Sequence, residues 1–315
     1  MKSFHSIFAA RLRDYVRLRR GLGFQFQVQA DVLLAFDRFV REQQYDGPLT
    51  QNLAHAFATS NTRVTATECA RRYQIVRHFS DYLATFEPRT PRLDPQLLRR
   101  SRTRPPAHIY TEAELAQLLS EAWHVSRRHA IRGITLHAMV GLAASTGLRI
   151  SEVVKLDKPD VDLKIGSLLV RQSKFAKDRL VPLHPTTRDV LQNYAAVRDS
   201  ALPDATCPAF FLHLWGRRFS RHTLQLAFWD LTRRTGLRSG RGHGPSFHDL
   251  RHTFAVRRLV SWYRAGHDVQ AMLPALATYM GHVHYSDTAY YLQATAELLD
   301  LAAARFQTTH REAVP

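Results

Sequence analysis

The sequence predicts a mainly α-helical protein with a small antiparallel β-sheet, divided into two domains. Three observations predict it. Apolar residues recur at helical spacing through most of the 315 residues, and the period shortens to strand-like runs only around 166–183. A Pro- and Arg-rich stretch over 88–108 interrupts the helical pattern, so a first domain over 1–87, a linker over 88–108 and a second domain over 109–315 are expected. The length suits about two domains, each able to bury its own core.

Phe4, Ile7, Phe8, Leu12, Tyr15 and Val16 form the first apolar stripe, and Gly21 and Gly23 end it. A second helix is expected over about 28–44, with Leu33, Phe36, Phe39 and Val40 inward. After the Asp46-Gly47-Pro48 turn, Thr50 suits the cap of a third helix reaching about Ala58. A fourth spans 64–86 with Cys69, Tyr73, Val76, Phe79, Tyr82 and Leu83 inward, which leaves Arg71, Arg72 and Arg77 for another face. Five prolines then break the pattern, and Arg99, Arg100, Arg102 and Arg104 load the linker with charge.

Thr111-x-x-Glu114 reads as a capping box opening the second domain, followed by an apolar helix over about 129–145 that ends at Gly147. Ile150, Val153, Val154 and Leu156 start another helix. Residues 166–172 and 178–183 read as a hairpin with Lys174 and Lys177 at its basic tip. Helices are expected over about 186–201, 221–237 (opening with Arg221) and 298–306, with a frayed end from 308.

Composition bounds the function. With 45% hydrophobic and 23% charged residues and no apolar run of eighteen, the chain reads as soluble and non-membrane. Cys69 and Cys207 lie far apart and fit a reducing compartment rather than a disulfide framework. The net charge of +17 predicts a polyanionic partner. Residues 1–106 carry 18 Lys and Arg against 9 Asp and Glu, and the other 209 carry 26 against 18, so the front third is the more densely basic.

The run Phe247-His248-Asp249-Leu250-Arg251-His252-Thr253-Phe254 carries the chemistry. Phe247, Leu250 and Phe254 are helically spaced, which sets His248 and Arg251 side by side at i, i+3. A guanidinium fork beside an imidazole suits a phosphate: the fork binds two oxygens and the imidazole handles a proton. A downstream tyrosine could serve as nucleophile. His248 and His252, at i, i+4, also approach a zinc-binding pattern, but Arg251 beside a dication would repel it, so no metal is expected.

Thr146-Gly147-Leu148-Arg149-Ile150-Ser151-Glu152, the basic hairpin before Arg179-Leu180-Val181-Pro182-Leu183, His248-x-x-Arg251-His252, Gly281-His282 and a tyrosine nine residues later occur in order. Over about 108–300 the chain resembles the tyrosine recombinases of the phage integrase family. The resemblance implies a C-terminal catalytic domain of that type and an N-terminal helical domain that clamps DNA. It implies that Arg149 and Arg251 hold the non-bridging oxygens of the scissile phosphate and that His282 hydrogen-bonds one of them. Lys174 is then the general acid, with Lys177 as its rival. His248 exchanges a proton with the nucleophile, and Glu152 orients Arg149 or His248. The nine-residue spacing favours Tyr291 as nucleophile over Tyr290. A leucine is the usual residue where Met280 stands, and Ser261–Arg264 and Pro274 depart from the family pattern.

The implied activity is site-specific recombination through a covalent 3′-phosphotyrosyl intermediate, serving integration, excision or transposition of a mobile element, without cofactor. Implied partners are double-stranded DNA carrying specific sites, three further copies in a tetramer on synapsed DNA, and possible accessory recombinases; without DNA a monomer or weak oligomer is expected. Arg71, Arg72, Arg77, Arg99, Arg100, Arg102, Arg104, Lys177 and Arg221 are the candidate DNA contacts, and the cytoplasmic bacterial nucleoid the expected location. The rivals are a type IB-like topoisomerase, relaxing supercoils without a defined site, and a DNA-binding regulator that never forms an adduct.

Overall fold

The computed structural model describes residues 3–88, 90–98, 107–126, 129–171, 178–240, 244–282, 284–293, 295 and 297–304. The chain divides into two compact units, Met1–Pro105 and Pro106–Pro315.

The first unit holds α1 (Ala9–Gly21), α2 (Gln27–Glu42), α3 (Gln51–Thr59) and α4 (Ala66–Leu83). Thr50 and Thr65 cap α3 and α4, accepting from the amides of Leu53 and Glu68. Leu12, Leu33, Phe36, Tyr73, Val76 and Phe79 are buried at the centre. The first helix starts later than its apolar stripe suggests. The carboxylate of Asp37 on α2 accepts the amides of His5 and Ser6 at 2.8 and 2.9 Å, holding residues 3–5 out of helical geometry and leaving Ile7 exposed. Cys69, expected inward, is only half-buried.

The expected linker is in part packing surface. Leu93 enters the first core, and α4 side chains satisfy carbonyls of this proline-rich segment: Tyr73 Oη donates to Asp94 O at 2.9 Å, Gln74 Nε2 to Pro95 O at 2.9 Å and Ser80 Oγ to Pro91 O at 3.2 Å. A segment without regular secondary structure leaves its backbone oxygens without ladder partners, and here α4 side chains supply the donors. Arg99, Arg100, Arg102 and Arg104 lie outside the described residues.

The second unit opens with α5 (Glu112–His124), whose capping box forms as expected. It continues through α6 (Ala130–Thr146) and α7 (Ile150–Lys155) into a three-stranded antiparallel sheet of β1 (Val161–Asp162), β2 (Ser167–Val170) and β3 (Arg179–Pro182). Leu168 pairs with Val181 and Val170 with Arg179. The two-residue β1 is too short to carry a period, which is why the sequence shows only the hairpin. Then come α8 (Pro185–Ala201), α9 (Arg221–Arg234), α10 (Phe247–Arg264), α11 (Val269–Met280) and α12 (Tyr285–Ala289), a 3-10 turn (Tyr290–Gln293) and a helical segment over 297–304. The departures Ser261–Arg264 and Pro274 are absorbed as the last turn of α10 and an interior residue of α11. The apolar α6 buries residues on several faces, Leu136, Met139, Val140 and Ala143 among them, and α10 packs on it. The register of α6 against α10 positions the site.

Candidate active site

Helix α6 ends at Gly147, whose φ of +66° turns the chain into α7. A Cβ there would fall 2.6 Å from Phe254 Cδ1 on α10, so glycine also sets the approach of the two segments. Arg149 follows at the N-cap of α7. Its amide donates to Glu152 Oε2 at 2.8 Å, one guanidinium nitrogen donates to Glu152 Oε1 at 3.0 Å, and the other to Gly281 O at 3.1 Å.

Arg251, on the second turn of α10, is 1% exposed. One terminal nitrogen donates to Gly147 O at 2.7 Å; the other reaches Met280 O and His282 Nε2, each at 2.7 Å. The second positive-φ glycine, Gly281, closes α11 and turns His282 toward Arg251. A guanidinium can only donate, so His282 Nε2 accepts, and the ring proton sits on Nδ1, donated to Thr288 Oγ1 at 2.7 Å.

Tyr291 completes the group. It is 3% exposed, its phenol feels the Arg251 cation, and its ring stacks on His282 with centroids 6.0 Å apart. Tyr290 is 52% exposed. His252 lies between the two tyrosines and His248, with its centroid 5.3 Å from Tyr291 and 4.8 Å from His248. Arg149, Arg251, His282 and Tyr291, separated by up to 142 positions in the chain, thus gather at one turn, with His248 reaching the group through His252.

Burial and the nearby cations set the protonation states. Desolvation and then His252 and Arg251 push His248 down to about 4, although part of its surface meets solvent. Desolvation, Arg251 and Arg149 do the same to His282, also to about 4. Burial raises the Tyr291 phenol against the opposing pull of Arg251. Burial lowers Arg251 to about 10, which leaves it cationic at neutral pH. The resting site therefore holds two fixed cations, two neutral imidazoles and a protonated phenol, an arrangement that receives an anion and can pass a proton.

The low histidine values have a consequence for stability. An unfolded histidine protonates near pH ~6.5, whereas both imidazoles stay neutral in the fold down to about 4. Between these values the unfolded chain binds more protons, so stability falls on acidification through that window and is level above it. Urea midpoints should drop between about pH 6.5 and pH 4.5, and drop less in His282→Asn. An equal drop in both proteins would show that His282 is not a source of the acid sensitivity.

Of the two partners expected for Glu152, Arg149 is met and His248 is not; the carboxylate bridges Arg149 and Arg179. Arg179 donates to both of its carboxylate oxygens, at 3.1 and 3.0 Å, and through Nε to Tyr279 O at 2.9 Å. Burial would raise Glu152, but the Arg179 fork outweighs it and holds the carboxyl below its usual range. Sequence reading used Arg179 only to align a motif. The signal available was strand period: Arg179 shares a face with the buried Val181, opposite Leu180, which is 68% exposed.

Lys174 and Lys177 lie outside the described residues. Among the candidate DNA contacts of the first unit, Arg71 forks onto Glu68 at 2.6 and 2.7 Å. Arg77 binds Gln74 at 2.8 Å and Asp81 at 3.2 Å. Arg72 covers the Phe57 ring at 4.2 Å. Arg221 is exposed at the start of α9. Among the described residues no three His, Cys, Asp or Glu side chains gather as a metal-binding set, and no helix is long and apolar enough to cross a membrane.

Residues 109–297 match the phage integrase family. A protein of Sinorhizobium fredii named as an integrase/recombinase, y4rE, is 44% identical over 305 residues, covering 97% of each chain. The tyrosine recombinase XerC of Chlamydia pneumoniae is 30% identical over 191 residues, covering 61% of this chain and 54% of that protein. The fold resembles that of a lambda integrase tetramer bound to a Holliday junction, with a TM-score of 0.60, 19% identity, and coverage of 87% of this chain and 77% of that one.

Proposed function

Because the chain belongs to the phage integrase family, we propose that it cuts and rejoins duplex DNA at specific recombination sites with Tyr291 as its nucleophile. The observation that carries this reading is the convergence of Arg149, Arg251, His282 and Tyr291 from separate segments onto the Met280–Gly281 turn. Arg149 and Arg251 hold the non-bridging oxygens and stabilise the charge that builds on them in the transition state. The Tyr291 oxygen bonds to phosphorus and gives its proton to a neighbouring imidazole, for which His248 is the candidate. The phosphorus bond to the 5′ oxygen breaks, and that oxygen takes a proton, with Lys174 as the proposed donor. The strand end is left as a 3′-phosphotyrosyl ester, and a 5′-hydroxyl from a partner strand reverses the steps. The bond energy is kept in the ester, so no nucleotide is consumed.

Lambda integrase, which shares the fold, assembles as a tetramer on a Holliday junction. We extend that assembly to this chain on two synapsed sites, with a monomer or weak oligomer in the absence of DNA. The helical first unit and its arginines grip the duplex, and integration or transposition of a mobile element is the role that the likeness to an integrase/recombinase supports. The test is a supercoiled plasmid carrying two copies of the ends of the element that encodes the protein. Recombinant circles support strand exchange. Relaxation of any plasmid, with or without the ends, would replace this reading with a topoisomerase.

The charge of +17 adds a second expectation. Affinity for duplex DNA should fall with salt at a log–log slope of about −0.9 per phosphate neutralised, losing about 10³-fold or more between roughly 50 and 200 mM if six or more phosphates are held. A flat titration would remove the basic first unit from the interface.

A further inference from the structure

Arg179 sits at the first position of β3, directly beyond the hairpin tip, and three of its nitrogens are engaged. Two fork onto Glu152 at 3.1 and 3.0 Å, and Nε donates to Tyr279 O at 2.9 Å. Glu152 is 7% exposed, and Arg179 is its only side-chain partner among the described residues besides Arg149. The Gly281 turn leaves room for this side chain: a Cβ at Gly281 would fall 2.8 Å from an Arg179 terminal nitrogen.

We infer that Arg179 is a positioning residue for strand cleavage, competing with Arg149 for the buried Glu152 carboxylate and pinning the base of the hairpin to the turn that carries His282. A buried carboxylate beside an arginine draws it into a two-pronged pair. Arg179 presents both prongs, so Arg149 meets Glu152 with a single guanidinium nitrogen and sends the other toward Gly281 O. Without that competition the Arg149 fork closes on Glu152 and turns from the phosphate. The same side chain joins β3, α7 and the end of α11, so the base of the hairpin is tied to the arginine–histidine cluster.

The inference rests on the reading of the site as a cleavage centre, and the test separates the two. Arg179→Lys keeps the cation near Arg251 and His282 and the apolar stem but cannot fork. Wild type, Arg179→Lys and Arg179→Lys/Glu152→Gln are compared by single-turnover cleavage of a nicked substrate at saturating protein, with DNA affinity and thermal midpoint measured in parallel. Arg179→Lys should cleave about 10²-fold more slowly at near-normal affinity, the scale on which a misplaced catalytic group costs rate. Removing the Glu152 charge in that background should restore about tenfold, because it frees Arg149. A double variant as slow as Arg179→Lys or slower, or an Arg179→Lys protein that cleaves like wild type, would overturn the inference. Absence of any adduct with wild type would overturn the reading of the site instead.

Discussion

Tyr291→Phe should form no covalent complex with a nicked suicide substrate, while Tyr290→Phe should form it at close to the wild-type level. Neighbouring residues on a 3-10 turn point about 120° apart, so one phosphate can face only one of the two rings. Tyr291 is the ring turned inward: it is 3% exposed, its face lies on His282, and the Arg251 cation acts on its phenol. Tyr290 is half exposed and meets His252 edge-on at 6.3 Å. Removing one hydroxyl changes little packing, so Tyr291→Phe should still bind DNA, and a failure to bind would point to misfolding rather than lost chemistry. Denaturing gels read the adduct, and peptide mapping reads its position. Label on Tyr290, or an adduct surviving in Tyr291→Phe, would move the nucleophile and with it the roles of the surrounding residues.

Replacing Arg251 should separate activity from stability. Arg251→Met keeps much of the side-chain volume but removes the fork. Loss of a preorganised donor to a transition-state oxyanion costs about 10²–10³-fold in rate, and the lost cation adds to that. Stability responds to two opposing terms. Burial lowers Arg251 from its usual range to about 10, so removing the charge relieves roughly 3 kcal/mol. Against this, Gly147 O and Met280 O lose their donors at a cost of about 1–3 kcal/mol each. The terms nearly cancel, so the thermal midpoint should move by less than about 8 °C in a unit of this size. Cleavage should fall by about 10³-fold or more, at or beyond the top of the range for a single neutral donor. A variant that unfolds outright would show that Arg251 is chiefly a structural fastener. One that keeps its rate would remove it from the reaction.

The helices and the motif residues were legible in the sequence because their signals are local. The spacing of Phe247, Leu250 and Phe254 fixes a helix face, Thr111 and Glu114 fix a cap, and Gly147 and Gly281 mark turns that only positive φ allows. What escaped depends on contacts between distant segments. Asp37 holding His5 and Ser6, α4 satisfying the carbonyls of 91–95, and Arg179 clasping Glu152 and Tyr279 span 11 to 100 positions and leave no periodic trace. Glu152 was legible as a companion of Arg149 through its i, i+3 spacing. Its second partner was not, because a strand of four residues shows its inward face only once its register is known.

Main-chain oxygens do much of the anchoring of Arg149 and Arg251: Gly147, Met280 and Gly281 supply carbonyls, and among the described residues Glu152 is the one acid paired with either arginine. Neutral dipoles immobilise a guanidinium without cancelling it, whereas a matched set of acids would have left no surplus. Arg149 and Arg179 share the Glu152 carboxylate while Arg251 binds only carbonyls and an imidazole, which leaves a surplus of positive charge for an incoming phosphodiester. The same economy leaves the residue type at position 280 open to any side chain that fills the core, since its peptide oxygen does the holding, and a methionine serves there without touching the chemistry.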